Sequence, residues 1–224
     1  MPLSITVHYT PGQITGPSVG PQGPRGDEGD DGDPGAPGTP GVDGFSGWEP
    51  ADGNLIACSM ADPAAASGVV AALAGYPLVA RVKVPPGSPV ITKAGVWLAV
   101  AGSGLTSGQN FLGVYNTAGD LLAMSADQTS AFQTAGLILP TLDNPITPDP
   151  AGEMLYVALL INGSGMPLLA AGAGASGNSN PANIGLASPP YRSSWYPSPL
   201  TALPSSVTWG GTSPAISIFL YVLA

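Results

Sequence analysis

Leu78-Val79-Ala80-Arg81-Val82-Lys83-Val84 alternates, with Leu78, Ala80, Val82 and Val84 on one face and Arg81 and Lys83 on the other. That is the period of a strand that buries one side. Pro85-Pro86-Gly87 ends it in a turn. Ile91–Val100 reads as the next strand, and Phe111–Tyr115 with residues 121–125 as a hairpin around Asn116-Thr117-Ala118-Gly119. Shorter apolar runs predict strands at 137–139, 154–161, Leu168–Ala171, 207–209 and 215–223. Asp62-Pro63 offers the start of one helical turn through residues 64–66, but Gly68 and Gly75 argue against a long helix. Many short strands between Gly/Pro turns predict a mainly β domain over residues 50–224, a β-sandwich of jelly-roll type.

Two of these runs are apolar on both faces. Ile216, Ile218, Leu220 and Val222 form one side of the last strand, with Phe219, Tyr221 and Leu223 on the other, and residues 154–161 behave likewise. A sheet with one face in water would alternate with polar residues. Each run is therefore either a central strand under a second layer or a seam against another copy of the chain.

The N-terminal part obeys a different period. Glycine occupies every third position at Gly20, Gly23, Gly26, Gly29, Gly32, Gly35, Gly38, Gly41, Gly44 and Gly47, with Pro21, Pro24, Pro34, Pro37 and Pro40 between. Proline fixes φ near the polyproline II value, and only glycine fits at the axis where three such chains meet. A flexible linker has no reason to hold this phase through Gly26-Asp27-Glu28-Gly29-Asp30-Asp31-Gly32. Residues 17–49 thus read as a collagen-like triple-helical stalk, whose repeat from Gly20 to Gly47 makes a rod of about 85 Å. So few triplets need a neighbouring domain to hold three chains together, which favours the seam and a homotrimer. Asp27, Glu28, Asp30, Asp31 and Asp33 crowd one stretch of the rod. They read as a solvated surface, with Ca²⁺ as the alternative. Arg25-Gly26-Asp27 matches an integrin-binding tripeptide but is fully accounted for by the repeat. Residues 1–16 precede the rod, and the alternating 4–9 reads as an attachment strand.

Composition narrows the function classes. Charged residues are only 8% of the chain, apolar ones 44%, and the net charge is −9 with five lysines and arginines. No basic stripe exists to displace counterions from nucleic acid. The lone Cys58 excludes an intramolecular disulfide framework and fits assembly in a reducing cytoplasm. Residues 1–5 lack the basic and apolar regions of a signal peptide, and the longest apolar run is too short to cross a bilayer. One histidine, His8, and one cysteine, far apart, spell no catalytic triad or dyad, and no zinc or phosphate-loop motif occurs. Most carboxylates of the C-terminal region sit in turn-like contexts such as Asn144-Pro145 and Asp149-Pro150, and the expectation is a non-enzymatic protein with no cofactor and no metal.

One stretch reads as a recognition surface. Pro189-Pro190-Tyr191-Arg192-Ser193-Ser194-Trp195-Tyr196-Pro197 gathers aromatics and an arginine between prolines, which predict a stiff loop. Such side chains stack on sugar rings and anchor interfaces. Tyr191, Arg192, Trp195 and Tyr196 are the candidate receptor-binding residues, with packing against their own sheet as the alternative.

The stretch from Ala101 to Thr129, reading AGSGLTSGQNFLGVYNTAGDLLAMSADQT, resembles minor tail proteins of tailed phages infecting actinobacteria. Asp62-Pro63-Ala64, Tyr156-Val157-Ala158-Leu159-Leu160 and Leu200-Thr201-Ala202-Leu203-Pro204 are similar too. The resemblance implies a fibre or tail-tip component of the virion, assembled in the host cytoplasm. Its implied partners are itself, other tail proteins through the N-terminal segment, and a glycan of the host surface. Nucleic acid and inserted membrane are not expected partners. The rival readings are a virion spacer or decoration protein without ligand, and a bacterial collagen-like surface or spore-coat protein.

Overall fold

The computed structural model describes residues 20–29, 49–59, 66, 68–172, 191–209, 213–214 and 218–224. The expected strand at 4–9 with His8, the glycines from Gly32 to Gly47, the helical turn at 62–65 and residues 215–217 lie outside them. The chain divides into two units, Met1–Val42 and Asp43–Ala224.

In the first unit, residues 20–29 form no helix or strand, and all ten are exposed. A Cβ added at Gly20, Gly23, Gly26 or Gly29 would meet nothing within 4 Å, and none of the four has a φ in the left-handed region. Among the described residues, neither a tight turn nor a close neighbour therefore requires glycine at these positions.

The second unit is mainly β. Its strands are β1 (Ala57–Cys58), β2 (Gly68–Ala71), β3 (Leu78–Val84), β4 (Ile91–Val100), β5 (Ser103–Leu105), β6 (Phe111–Tyr115), β7 (Leu121–Met124) and β8 (Gly136–Ile138). They continue as β9 (Thr141–Ile146), β10 (Glu153–Leu160), β11 (Gly163–Gly165), β12 (Leu168–Ala171), β13 (Ser193–Trp195), β14 (Ser213–Pro214) and β15 (Leu220–Leu223). One sheet runs β1-β15-β4-β12-β2 with β8 and β9 also paired to β4; the other runs β14-β13-β3-β10-β6-β7; β5 and β11 form a small ribbon. The pairings are antiparallel, and β3 lies along β10 from Leu78↔Leu159 to Val84↔Glu153.

The two large sheets close on a shared core. The alternation of β3 sends Leu78, Ala80, Val82 and Val84 inward, against Ala94, Val96 and Leu98 of β4, Leu155, Val157 and Leu159 of β10, and Leu220 and Val222 of β15. Each fully buried leucine or valine here contributes about 1.5–3 kcal/mol over an exposed one. Three expectations need correction. Residues 207–209 form no strand: Pro204 and the contact with Gly119 leave only the bridge Asp120↔Ser206 beside the β6–β7 turn. Asn144-Pro145 is not a turn but part of β9, where the missing proline N–H falls beside a register shift against β4. Ser193–Trp195 is a strand rather than a loop.

Two features distinguish the loops. Asn110 is wholly buried and satisfied: its Nδ2 donates to Thr106 O (2.6 Å) and Thr129 Oγ1 (2.7 Å), and its Oδ1 accepts the Asn162 N–H (2.9 Å). Its own N–H donates to Asp127 Oδ1 (3.1 Å), which also accepts from Thr129 Oγ1 (2.9 Å). The second feature is a contrast between two turns. Gly119 (φ 98°) closes the β6–β7 hairpin so near the next segment that a Cβ would lie 2.1 Å from Val207 O, whose own N–H donates to Gly119 O (2.8 Å). A Cβ at Gly87 (φ 69°), after β3, would meet nothing within 4 Å, although its N–H donates to Pro150 O (3.2 Å).

Candidate functional site

β13 positions the candidate recognition residues. Its register, Ser193↔Ala80 and Trp195↔Leu78, puts Ser193 and Trp195 on the inward face with Ala80 and Leu78. Trp195 is accordingly half-buried against the inter-sheet core, while Tyr196 turns outward and packs on a second cluster. Arg192 donates from Nε (3.2 Å) and Nη2 (2.7 Å) to Ser59 O, tying this segment to the end of β1. Tyr191 is half-buried. The period of the strand therefore separates Trp195 from Tyr196, and the four residues do not share one face.

That second cluster covers the outer face of the β3/β10/β6 sheet. Val79, Tyr115, Tyr156, Ala158 and Leu160 are roofed by Leu203, Val207 and Trp209. Trp209 stacks on Tyr156 at 4.2 Å, meets Tyr115 edge-on at 6.1 Å, and donates Nε1–H to Thr117 O (3.0 Å). Burial, with Tyr196 adding to it, pushes the Tyr115 phenol far above its ordinary range, and its hydroxyl donates to Pro204 O (2.9 Å). Burial also raises Tyr156, opposed by the charge and hydrogen bond of Arg81. Both faces of β10 are thus covered by the chain itself, so its apolar outer side marks a central strand.

The other sheet is finished differently. On its outer face Phe219 and Tyr221 meet in a tilted ring contact at 4.9 Å among Leu55, Cys58, Ala66, Leu139 and Leu223. Tyr221 lies over Gly95, where a Cβ would come within 2.3 Å of its ring. Burial raises the Tyr221 phenol, and its hydroxyl has no hydrogen-bond partner among the described residues. Beyond this pair the face opens. Trp97 is 46% exposed and its cross-strand partner Leu137 51%, with Val69 of β2 at 56%. A cavity of about 260 Å³ lies among Ala66, Trp97, Ala170 and Phe219.

No protein-family model, curated protein or solved structure matches the chain. What it does must be read from its own residues. Among the described residues, no group of three or more His, Cys, Asp or Glu is placed to hold a metal ion, and no helix is long and apolar enough to cross a membrane. Sequence reading did not single out Trp97 and Leu137. Their signal is the period of Ile91–Val100, which puts Lys93, Gly95, Trp97 and Ala99 on one side, a single charge among apolar or small residues.

Proposed function

We propose that this chain is a structural fibre protein of a bacteriophage tail, a homotrimer with a collagen-like stalk and a β-domain that meets the host cell surface. The observation that carries the reading is the unbroken glycine phase from Gly20 to Gly47. Nothing among the described residues of the chain requires glycine at Gly20, Gly23, Gly26 or Gly29. Two further chains at a common axis supply the missing reason. The outward apolar patch of Trp97, Leu137 and Val69 supports a seam between β-domains, because isolated exposed apolar residues are ordinary but clustered ones mark interfaces. Residues 1–16 are proposed to attach to other tail proteins. The resemblance of residues 101–129 to minor tail proteins supports the virion setting. Weak contacts to a surface glycan, repeated threefold, give avidity without a tight single site.

Light scattering on the full chain tests the assembly: a mass of three chains is expected, falling toward one in Trp97→Lys/Leu137→Lys. A single-chain mass for the unsubstituted protein, with no cooperative melting of a polyproline II circular dichroism signal, sinks the trimer. A second reading, a spacer without ligand, is favoured by the engagement of Arg192 and Trp195 within the fold. Binding of the full chain to host envelope polysaccharide separates the two.

A further inference from the structure

Three of the five basic side chains in a chain of net charge −9 meet at one place. Arg81, Lys83 and Arg192, with Cys58, Ser59 and Met154, line a cavity of about 260 Å³. Arg81 and Lys83 are two apart on β3 and so share its outward face. One step beyond the pair Ser193↔Ala80, Arg192 falls opposite Arg81, whose N–H donates to Arg192 O (2.7 Å). Like charges directly opposite destabilise an antiparallel pair. Among the described residues no carboxylate lines this cavity. Glu153, the nearest acid along β10, pairs with Val84, and its Oε1 accepts the Asp149 N–H (3.0 Å).

The donors are held in place and not used up. Arg192 spends Nε and Nη2 on one carbonyl, Ser59 O, and Arg81 hydrogen-bonds Tyr156. A guanidinium has five N–H donors in a planar fork, a shape that matches phosphate and carboxylate. Met154 adds an apolar wall. The cavity is smaller than the roughly 300–1,000 Å³ of sites for drug-sized ligands, which suits one anionic group and the carbon skeleton beside it.

We propose that Arg81, Lys83 and Arg192 form a binding site for a single oxyanion, a phosphate or carboxylate carried on a saccharide or polyol. The site stands on this geometry; that the anion belongs to a polymer on the host surface rests on the adhesion reading above. An anion here offsets the cross-strand repulsion and forms charge-assisted hydrogen bonds to preoriented donors.

Calorimetric titration of the full chain with glycerol phosphate and, separately, with glucuronate tests the site and tells the two sources apart. Binding by at least one is expected, weakening as salt is added. Lys83 is exposed and can be changed without touching the fold. Lys83→Gln is expected to weaken binding about tenfold and Lys83→Glu to abolish it. Arg25→Gln, which removes the same charge from the other unit, leaves it unchanged. The proposal is overturned if neither anion binds, or if Lys83→Glu binds as the original chain does. Binding of the small anions without binding of host envelope polymer keeps the site and removes the adhesion reading. Polymer binding that ignores Lys83→Glu does the reverse.

Discussion

Asn110→Ala strikes a wholly buried and fully bonded polar side chain of the β-domain. It deletes both Nδ2 bonds, to Thr106 O and Thr129 Oγ1, and the Oδ1 acceptor of the Asn162 N–H. The two Nδ2 bonds are worth about 0.5–1.5 kcal/mol each, and a donor left orphaned, as the Asn162 N–H would be, costs about 1–3 kcal/mol. The loss is therefore about 4 kcal/mol, and at about 2–4 °C per kcal/mol for a domain of this size Tm falls by about 8–16 °C. Urea unfolding followed by tryptophan fluorescence gives the same quantity through the midpoint, with the slope unchanged. Thr129→Val in the same series should couple to Asn110→Ala by about 0.5–3 kcal/mol, since the two share a bond. A total loss below about 1 kcal/mol, or strict additivity, refutes the view that this network fastens the loops before β6 and after β7.

Tyr221→Phe removes a buried hydroxyl that has no partner among the described residues. The variant is expected to match or exceed the original by about 1 kcal/mol in urea unfolding; a clear loss means the hydroxyl has a partner beyond the described residues. Asp127 supplies a pH test: burial raises its carboxyl, but bonds from the Thr129 side chain and the N–H groups of Gly108, Asn110 and Thr129 outweigh it and hold it below the usual carboxylate range. A depressed folded value means the contribution is fully present above the unfolded value of about 3.9 and is lost as pH falls through the folded one. Asp127→Asn should flatten the acid limb of the stability profile, and an unchanged limb refutes the assignment.

Strands with one buried face were legible because a period of two is written in the residues themselves. Leu78–Val84 and Ile91–Val100 have the bounds their alternation predicts. β2 and β9 were not, because Gly68-Val69-Val70-Ala71 is too short to show a period and Pro145 disguises β9 as a turn. Apolar character on both faces could not tell a roof from a seam. Residues 154–161 and 215–223 read alike, yet the first lies under Trp209 of its own chain, whereas Phe219 of the second borders an open patch around Trp97. Arg81 and Lys83 read as an ordinary wet face, since only the register of β13 brings Arg192 across from them. The candidate loop was misjudged in shape for a related reason: serines between aromatics conceal the inward turn of Ser193 and Trp195.

Pro86-Gly87 and Ala118-Gly119 look interchangeable in the sequence, and either would be chosen for grafting an epitope or a fluorophore-bearing peptide. The close approach of Val207 O to Gly119 makes them opposites. An insertion at 118–119 would lift the 205–209 segment off the hairpin and expose the aromatic roof beneath it, whereas one at 87–88 enters open solvent between two strands that remain paired to their neighbours. The permissive site for cargo on this scaffold is the turn at Gly87, and its guarded one is the turn at Gly119.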